Sequence, residues 1–225
     1  MGHFSHFENL LVRFPDQNIS ILAFFNHIWT HLLCEIGIDL EQKDHDGKTA
    51  LHLAVPVRGF KMFGGEFHEN PKIVKILLEH GASVHAKDDF GHTPLQDACE
   101  SGNLEIVQTL IQHNADVDGI SENADGQHFT PLMIAAGYGF SEIAKELLKY
   151  GADVNFSNSY GNSLHLTTKY GHSEIVKILL KNRCNANVRA KLDHDNNELI
   201  NCTAFELALD IKSMGIVKMI AFHEI

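Results

Sequence analysis

Positive charge is in short supply. Eighteen Lys and Arg face 29 Asp and Glu across 225 residues, for a formal net charge of −11 with histidine neutral. Proteins that grip a phosphate backbone carry a basic stripe, so this balance argues against nucleic acid as a partner. An acidic field keeps a chain soluble and steers basic partners toward it. Cysteine is sparse too. The four residues Cys34, Cys99, Cys184 and Cys202 show no C-x-x-C and no framework spacing. They read as reduced, partly buried thiols of a cytoplasmic protein. Long hydrophobic runs are missing: Ile19–Ile36 is apolar-rich but is broken by Asn26, His27, Thr30, His31 and Glu35, which makes it a poor membrane span. Met1–Arg13 has neither a basic start nor a small-residue cleavage site, so no signal peptide is read there. G-x-S-x-G, a P-loop, a dinucleotide fingerprint and H-E-x-x-H are all absent. No enzymatic activity, cofactor or metal is expected, and no membrane partner.

What is present is a repeated unit, clearest from Asp88 to Val117. Thr93-Pro94 starts a helix, since a threonine side chain can cap free N–H groups and proline is tolerated at the first helical position. Leu95 and Ala98 give it an apolar face, and Gly102 ends it. Asn103 can cap a second helix, with Glu105 at its positive end. Ile106, Val107, Leu110 and Ile111 follow at 3-and-4 spacing. Asn114 closes that helix, and Ala115-Asp116-Val117 leads into a turn.

The helix start recurs at Thr49-Ala50-Leu51-His52, at Thr130-Pro131-Leu132 and, in worn form, at Ser163-Leu164-His165. The second helix recurs at 72–78, 142–148 and 174–180, and the exit as Gly81-Ala82-Ser83-Val84 and Gly151-Ala152-Asp153-Val154. Gly81 and Asn114 stand 33 residues apart. This period, with T-P-L-H-x-A and G-A-D-V, resembles the ankyrin repeat, best over residues 37–188. The resemblance implies an all-α solenoid of helix-turn-helix units joined by β-turn or hairpin loops. Residues 1–43 read as a divergent helical N-terminal cap. Four repeats follow at 44–87, 88–120, 121–155 and 156–188, and 189–225 reads as a degenerate fifth repeat or C-terminal cap. The first repeat carries an apolar insertion at 57–70, which either folds back on the array or protrudes as a recognition loop. In the fourth, Asn162-Ser163 replaces Thr-Pro and Thr167-Thr168 replaces Ala-Ala, so its cap reads as lost. Lys191–Asn201 reads as a long polar turn.

The resemblance also implies the role: a non-catalytic, monomeric module that binds another protein or peptide, of basic character, on its concave face. The family's variable positions map here onto Asp46 and Lys48; Asp89, Phe90, His92, Glu100 and Ser101; Phe129 and Tyr138; and Tyr160, Lys169 and Tyr170. Aromatic residues among them are the types that anchor interfaces. An effector that a pathogen or virus delivers to the host cytoplasm is the alternative. A second alternative is a metal protein using His27, His31 and Cys34, spaced for one helix face. His52, His165 and His172 match the family's structural histidines, and Asn155 resembles its hydroxylated asparagine.

Overall fold

The computed structural model describes residues 30–31, 34–35, 37–55, 71–122, 126, 128–193 and 199–223. The insertion at 57–70 and most of the N-terminal segment lie outside these residues.

Ten helices run through the described chain, in five pairs. They are α1 (Ala50–Ala54) and α2 (Pro71–Glu79), α3 (Pro94–Ser101) and α4 (Leu104–Gln112), α5 (Pro131–Tyr138) and α6 (Ser141–Lys149), α7 (Ser163–Lys169) and α8 (Ser173–Lys181), and α9 (Ala204–Asp210) and α10 (Met214–Ala221). Several starts are capped by the side chains their sequences offer. Thr130 Oγ1 accepts the Met133 N–H at 3.3 Å, and Asn103 Oδ1 accepts that of Ile106 at 3.0 Å. The fourth start is not lost. Asn162 Oδ1 accepts the Leu164 N–H at 3.2 Å, while its Nδ2 donates to the Asn185 carbonyl at 2.8 Å. Asparagine is as good an N-cap as threonine, so the departure from Thr-Pro costs the helix little.

First helices stack on first helices (α1, α3, α5, α7, α9), and second helices on second helices (α2, α4, α6, α8, α10). The apolar faces seen in the sequence meet between these two layers. Leu95, Leu132 and Leu164 come from one layer and Leu110, Leu147 and Leu179 from the other, all fully buried, and one core runs from Leu40 to Ile220.

Among the described residues, three antiparallel hairpins link successive pairs from α4 onward. Ser121–Glu122 (β1) pairs with His128–Phe129 (β2), and Ser157–Asn158 (β3) with Gly161–Asn162 (β4). Ala190–Asp193 (β5) pairs with Leu199–Cys202 (β6). The last corrects the expectation of a plain turn at Lys191–Asn201. Ala190 lies opposite Cys202, both buried, and Lys191 opposite Asn201, both exposed, which is the alternation a half-buried hairpin needs.

Two helix exits require glycine twice over. Gly102 and Gly139 have φ of 82° and 84°, where a side chain is strained. A Cβ on Gly102 would strike the ring of Phe140, and one on Gly139 the ring of His172. Each glycine therefore seats an aromatic ring from the next pair.

Candidate partner-binding surface

The loops and first helices lie on one side of the array, and most of the mapped residues belong there. Asp88 shapes the turn before α3: its Oδ1 accepts the N–H groups of Phe90 at 3.0 Å and His92 at 2.8 Å. Asp44 holds the preceding turn the same way, taking Asp46 N–H at 3.0 Å and Lys48 N–H at 2.8 Å. Neighbouring tips are joined by backbone bonds, Asp89 N–H to Asp46 O at 3.1 Å and Glu122 N–H to Phe90 O at 3.4 Å. This frame leaves Phe90 59% exposed. An open hollow of about 520 Å³ lies beside it, lined by Lys87, Asp89, Phe90, Ile120, Glu122 and His128.

The helix exits carry the other exposed aromatics. Tyr138, 44% exposed, stacks on Phe140 with ring centres 6.2 Å apart, and its hydroxyl donates to Glu100 Oε1 at 2.6 Å. Tyr170, 56% exposed, lies against His172 at 6.3 Å, with Lys169 Nζ 5.8 Å from its ring centre. Phe140 and His172 are the two rings seated on Gly102 and Gly139, and His172 Nε2 also meets the Gly137 carbonyl at 3.0 Å. Both tyrosines thus stand on fixed footings, which lowers the entropy cost of using them in a contact. Ser101, at the equivalent exit of α3, turns inward and donates to the Ala98 carbonyl at 2.9 Å.

Phe129 and Tyr160 fall outside the expected open stripe. They stack on each other at 6.1 Å and are half-buried, with Tyr160 leaning on Ala190, Cys202 and Leu207. Adjacent hairpins approach closely enough to bring these two rings together.

Lys48 and His92 also have internal duties. Lys48 Nζ lies 3.3 Å from Asp97 Oδ2 and 3.7 Å from Asp88 Oδ2, and His92 Nδ1 lies 3.9 Å from Asp97 Oδ1. Burial pushes the Asp97 carboxyl up to about 7, against the opposing pull of Lys48. Burial pulls Lys48 down, but Asp97 and Asp88 outweigh it and hold the ammonium above its ordinary value. The sequence did carry a signal for this cluster, an aspartate inside the apolar run Thr93–Cys99. Ile120, Lys87 and Glu122, which border the hollow, were not singled out; only an unpartnered isoleucine in the turn marked it.

The matched histidines sit where the resemblance implies. His52 Nδ1 takes the Thr49 N–H at 3.2 Å and its Nε2 faces the His92 carbonyl at 3.0 Å, tying one pair to the next. Burial lowers its pKa and that of His165. Asn155 is part of the exit ladder: its Oδ1 accepts the Asn185 N–H at 2.8 Å, as Asp118 Oδ1 accepts that of Asp153 at 2.8 Å. The turn accounts for this asparagine without a modification. Of the suggested metal face, His27 lies outside the described residues, and His31 meets Glu35 at 3.4 Å and the ring of His80 at 5.1 Å. Asp44, His45 and Asp46 bring ligand atoms within 4.8 Å of one another, but Asp44 Oδ1 already serves its own turn.

Stacked helix pairs with hairpin tips along one side and braced aromatics beside them define a repeat solenoid of the interaction class. A family model described as "Ankyrin repeats (3 copies)" matches residues 62–158 and 119–191. The chain belongs to the ankyrin-repeat family, whose repeats generally mediate protein–protein interaction and are typically non-catalytic. It is 31% identical over 168 residues to human Transient receptor potential cation channel subfamily A member 1, covering 72% of this chain and 14% of that protein. It is 28% identical over 202 residues to human Rabankyrin-5, covering 75% and 17%, and 36% identical over 141 residues to Drosophila melanogaster Tyrosine-protein kinase Shark, covering 62% and 13%. The chain thus spans well under a third of each of these relatives. No helix among the described residues is long and apolar enough to cross a membrane.

Proposed function

We propose that this chain is a cytoplasmic, non-catalytic adaptor or inhibitor that captures a partner protein on the side formed by its turns and first helices. On this reading residues 44–188 are the binding array and the segments on either side are its ends. The observation that carries it is the pair Tyr138 and Tyr170, exposed at equivalent helix exits and each braced from below by an aromatic ring. Rigid, amphipathic aromatics of this kind dominate interface energetics. Phe90 at the tip adds a third anchor over the hollow. Asp46, Asp89, Glu100 and Glu122 supply carboxylates around them, which suits a basic segment of the partner. Lys48, His92, Ser101, Phe129 and Tyr160 contribute mainly by holding the surface in shape.

The test is capture of the partner by the wild-type chain and by the double variant Tyr138→Ala with Tyr170→Ala. Capture is expected to be abolished, with the thermal midpoint within a few degrees of wild type because both rings are about half exposed and lie outside the core. Unchanged capture by a folded double variant would remove this surface from the account.

A further inference from the structure

The second helices form the layer behind the turns and first helices, and their outward positions can be compared pair by pair. Counting seven and three places back from the exit residues Ala82, Ala115, Ala152 and Cys184 gives the same two positions on each helix. In α2 they hold Lys75 and Glu79, and in α4 Gln108 and Gln112. In α6 they become Lys145 and Lys149, and in α8 Lys177 and Lys181, all four exposed. Helices α6 and α8 pack side by side. The four lysines therefore line the two rims of the cleft between them, an open hollow of about 440 Å³. Its floor is apolar, made by the half-buried Leu148 and the buried Ile178.

This is the reverse of the chain's general charge. Residues 141–183 hold six Lys and Arg against four Asp and Glu, while the remainder holds twelve against 25. Internal pairing does not account for the lysines. Lys145, Lys149 and Lys177 meet Glu142, Glu146 and Glu174 on their own helices at 2.7, 3.0 and 3.6 Å, but exposed pairs of this kind are readily exchanged for water and salt. Among the described residues, no carboxylate lies within ion-pair distance of Lys181.

We infer that the cleft between α6 and α8 docks an acidic amphipathic helix of another protein. Each rim repeats its lysine after one helical turn, which is the spacing of carboxylates along one edge of a helix laid in the cleft. The apolar stripe of that helix meets Leu148 and Ile178, and its two acidic edges meet the two lysine rims. A phosphate backbone or an anionic bilayer fits less well: its uniform charge would press on Glu142, Glu146 and Glu174 too, whereas a helix places its carboxylates one by one. The cleft belongs to the second-helix layer, and Tyr138 and Tyr170 stand at exits of the first. Its occupation does not depend on the partner-binding reading above.

Fluorescence anisotropy tests it with a labelled acidic peptide that has leucine at every third and fourth position and glutamate elsewhere. A shuffled peptide of the same composition and phosphatidylserine vesicles serve as comparisons. Saturable binding of the amphipathic peptide, weakened by salt, is expected. Lys177→Glu with Lys181→Glu should weaken it by at least ~10-fold, or about 1.4 kcal/mol. Lys72→Glu with Lys75→Glu, the same change of net charge on α2 of the same layer, should bind like wild type. So should Tyr138→Ala with Tyr170→Ala, which keeps failure of the cleft distinct from failure of the partner-binding side. Thermal unfolding checks that each variant is folded. A wild-type chain that ignores the peptide overturns the inference, as does equal binding of the shuffled peptide. Equal loss in the two lysine pairs overturns it by reducing the effect to net charge. Vesicle binding without peptide binding overturns it in favour of a lipid surface.

Discussion

The junctions between repeats are built in two ways. Around α3 the neighbouring units are laced by polar side chains. Gln96 takes the Thr93 N–H at 2.9 Å on its Oε1, and its Nε2 donates to Ser121 Oγ at 2.8 Å and to the Phe129 carbonyl at 2.9 Å. His52 reaches forward to the His92 carbonyl, and Lys48 joins Asp88 and Asp97 across the same boundary. One repeat later the residue equivalent to Gln96 is Met133, fully packed and apolar, and no such lacing is available to it. The two junctions share a backbone geometry but not a chemistry. Apolar packing is common to both junctions, and the later one keeps only peripheral polar links such as His172 to the Gly137 carbonyl; buried polar side chains add register and make the first junctions sensitive to protons.

Asp97→Asn should expose that sensitivity most strongly. In the folded chain Asp97 titrates near 7, far above the usual range for an aspartate. The folded state therefore keeps a proton that the unfolded chain releases, and stability conferred by this group declines as pH rises from about 4 to about 7. Asparagine has no such proton. The variant should gain on wild type across that window by a margin on the order of 4 kcal/mol at most, then stay level. His52 and His165, held low by burial, titrate in both proteins and cancel in the difference. Denaturant melts at several pH values give the difference directly. A gap independent of pH would mean that Asp97 is ionised throughout and that Lys48 carries the junction as a plain ion pair.

Gln96→Met would rewrite the laced junction in the chemistry of the packed one. It removes three well-formed hydrogen bonds and leaves the Thr93 N–H and the Phe129 carbonyl without a buried partner. A loss of about 2–4 kcal/mol in chemical denaturation is expected. A loss near zero would show that the lacing is incidental and that both junctions rest on packing.

The same contrast explains how much the sequence revealed. Thr-Pro starts, the 3-and-4 apolar spacing and Gly102 are local signals, each tied to one backbone requirement, and the helix pairs follow from them. Asn162 departs from the family's Thr-Pro pattern yet caps its helix, because its side-chain oxygen accepts a first-turn N–H as a threonine would. The β5–β6 hairpin was missed because the stretch is mostly polar, and its alternation is visible only once Ala190 and Cys202 are seen to face inward. Phe90, Tyr138 and Tyr170 stayed exposed as expected, since a turn tip and helix exits point outward whatever their neighbours do. Phe129 and Tyr160 did not, because their environment is set by a hairpin from the next repeat. The Lys48–Asp88–Asp97 cluster is likewise a property of two repeats together, 49 residues apart between Lys48 and Asp97.

The exits supply the smallest and most local comparison. Gly151 leaves α6 at φ 89°, while Arg183 leaves α8 at φ 63°, in the region that costs an ordinary residue roughly 1–2 kcal/mol. Both make the same backbone connections, with Ala152 N–H bonding to Leu147 O and Cys184 N–H to Leu179 O, each at 3.1 Å. The arginine therefore tolerates strain for no bond that glycine would lose. Arg183→Gly should relieve it, offset in part by the greater freedom glycine has in the unfolded chain. The net gain expected is about 0.5–1 kcal/mol, measurable as a higher denaturant midpoint at unchanged slope. A fall in stability instead would mean that the arginine side chain makes a contribution at this exit larger than the strain it bears.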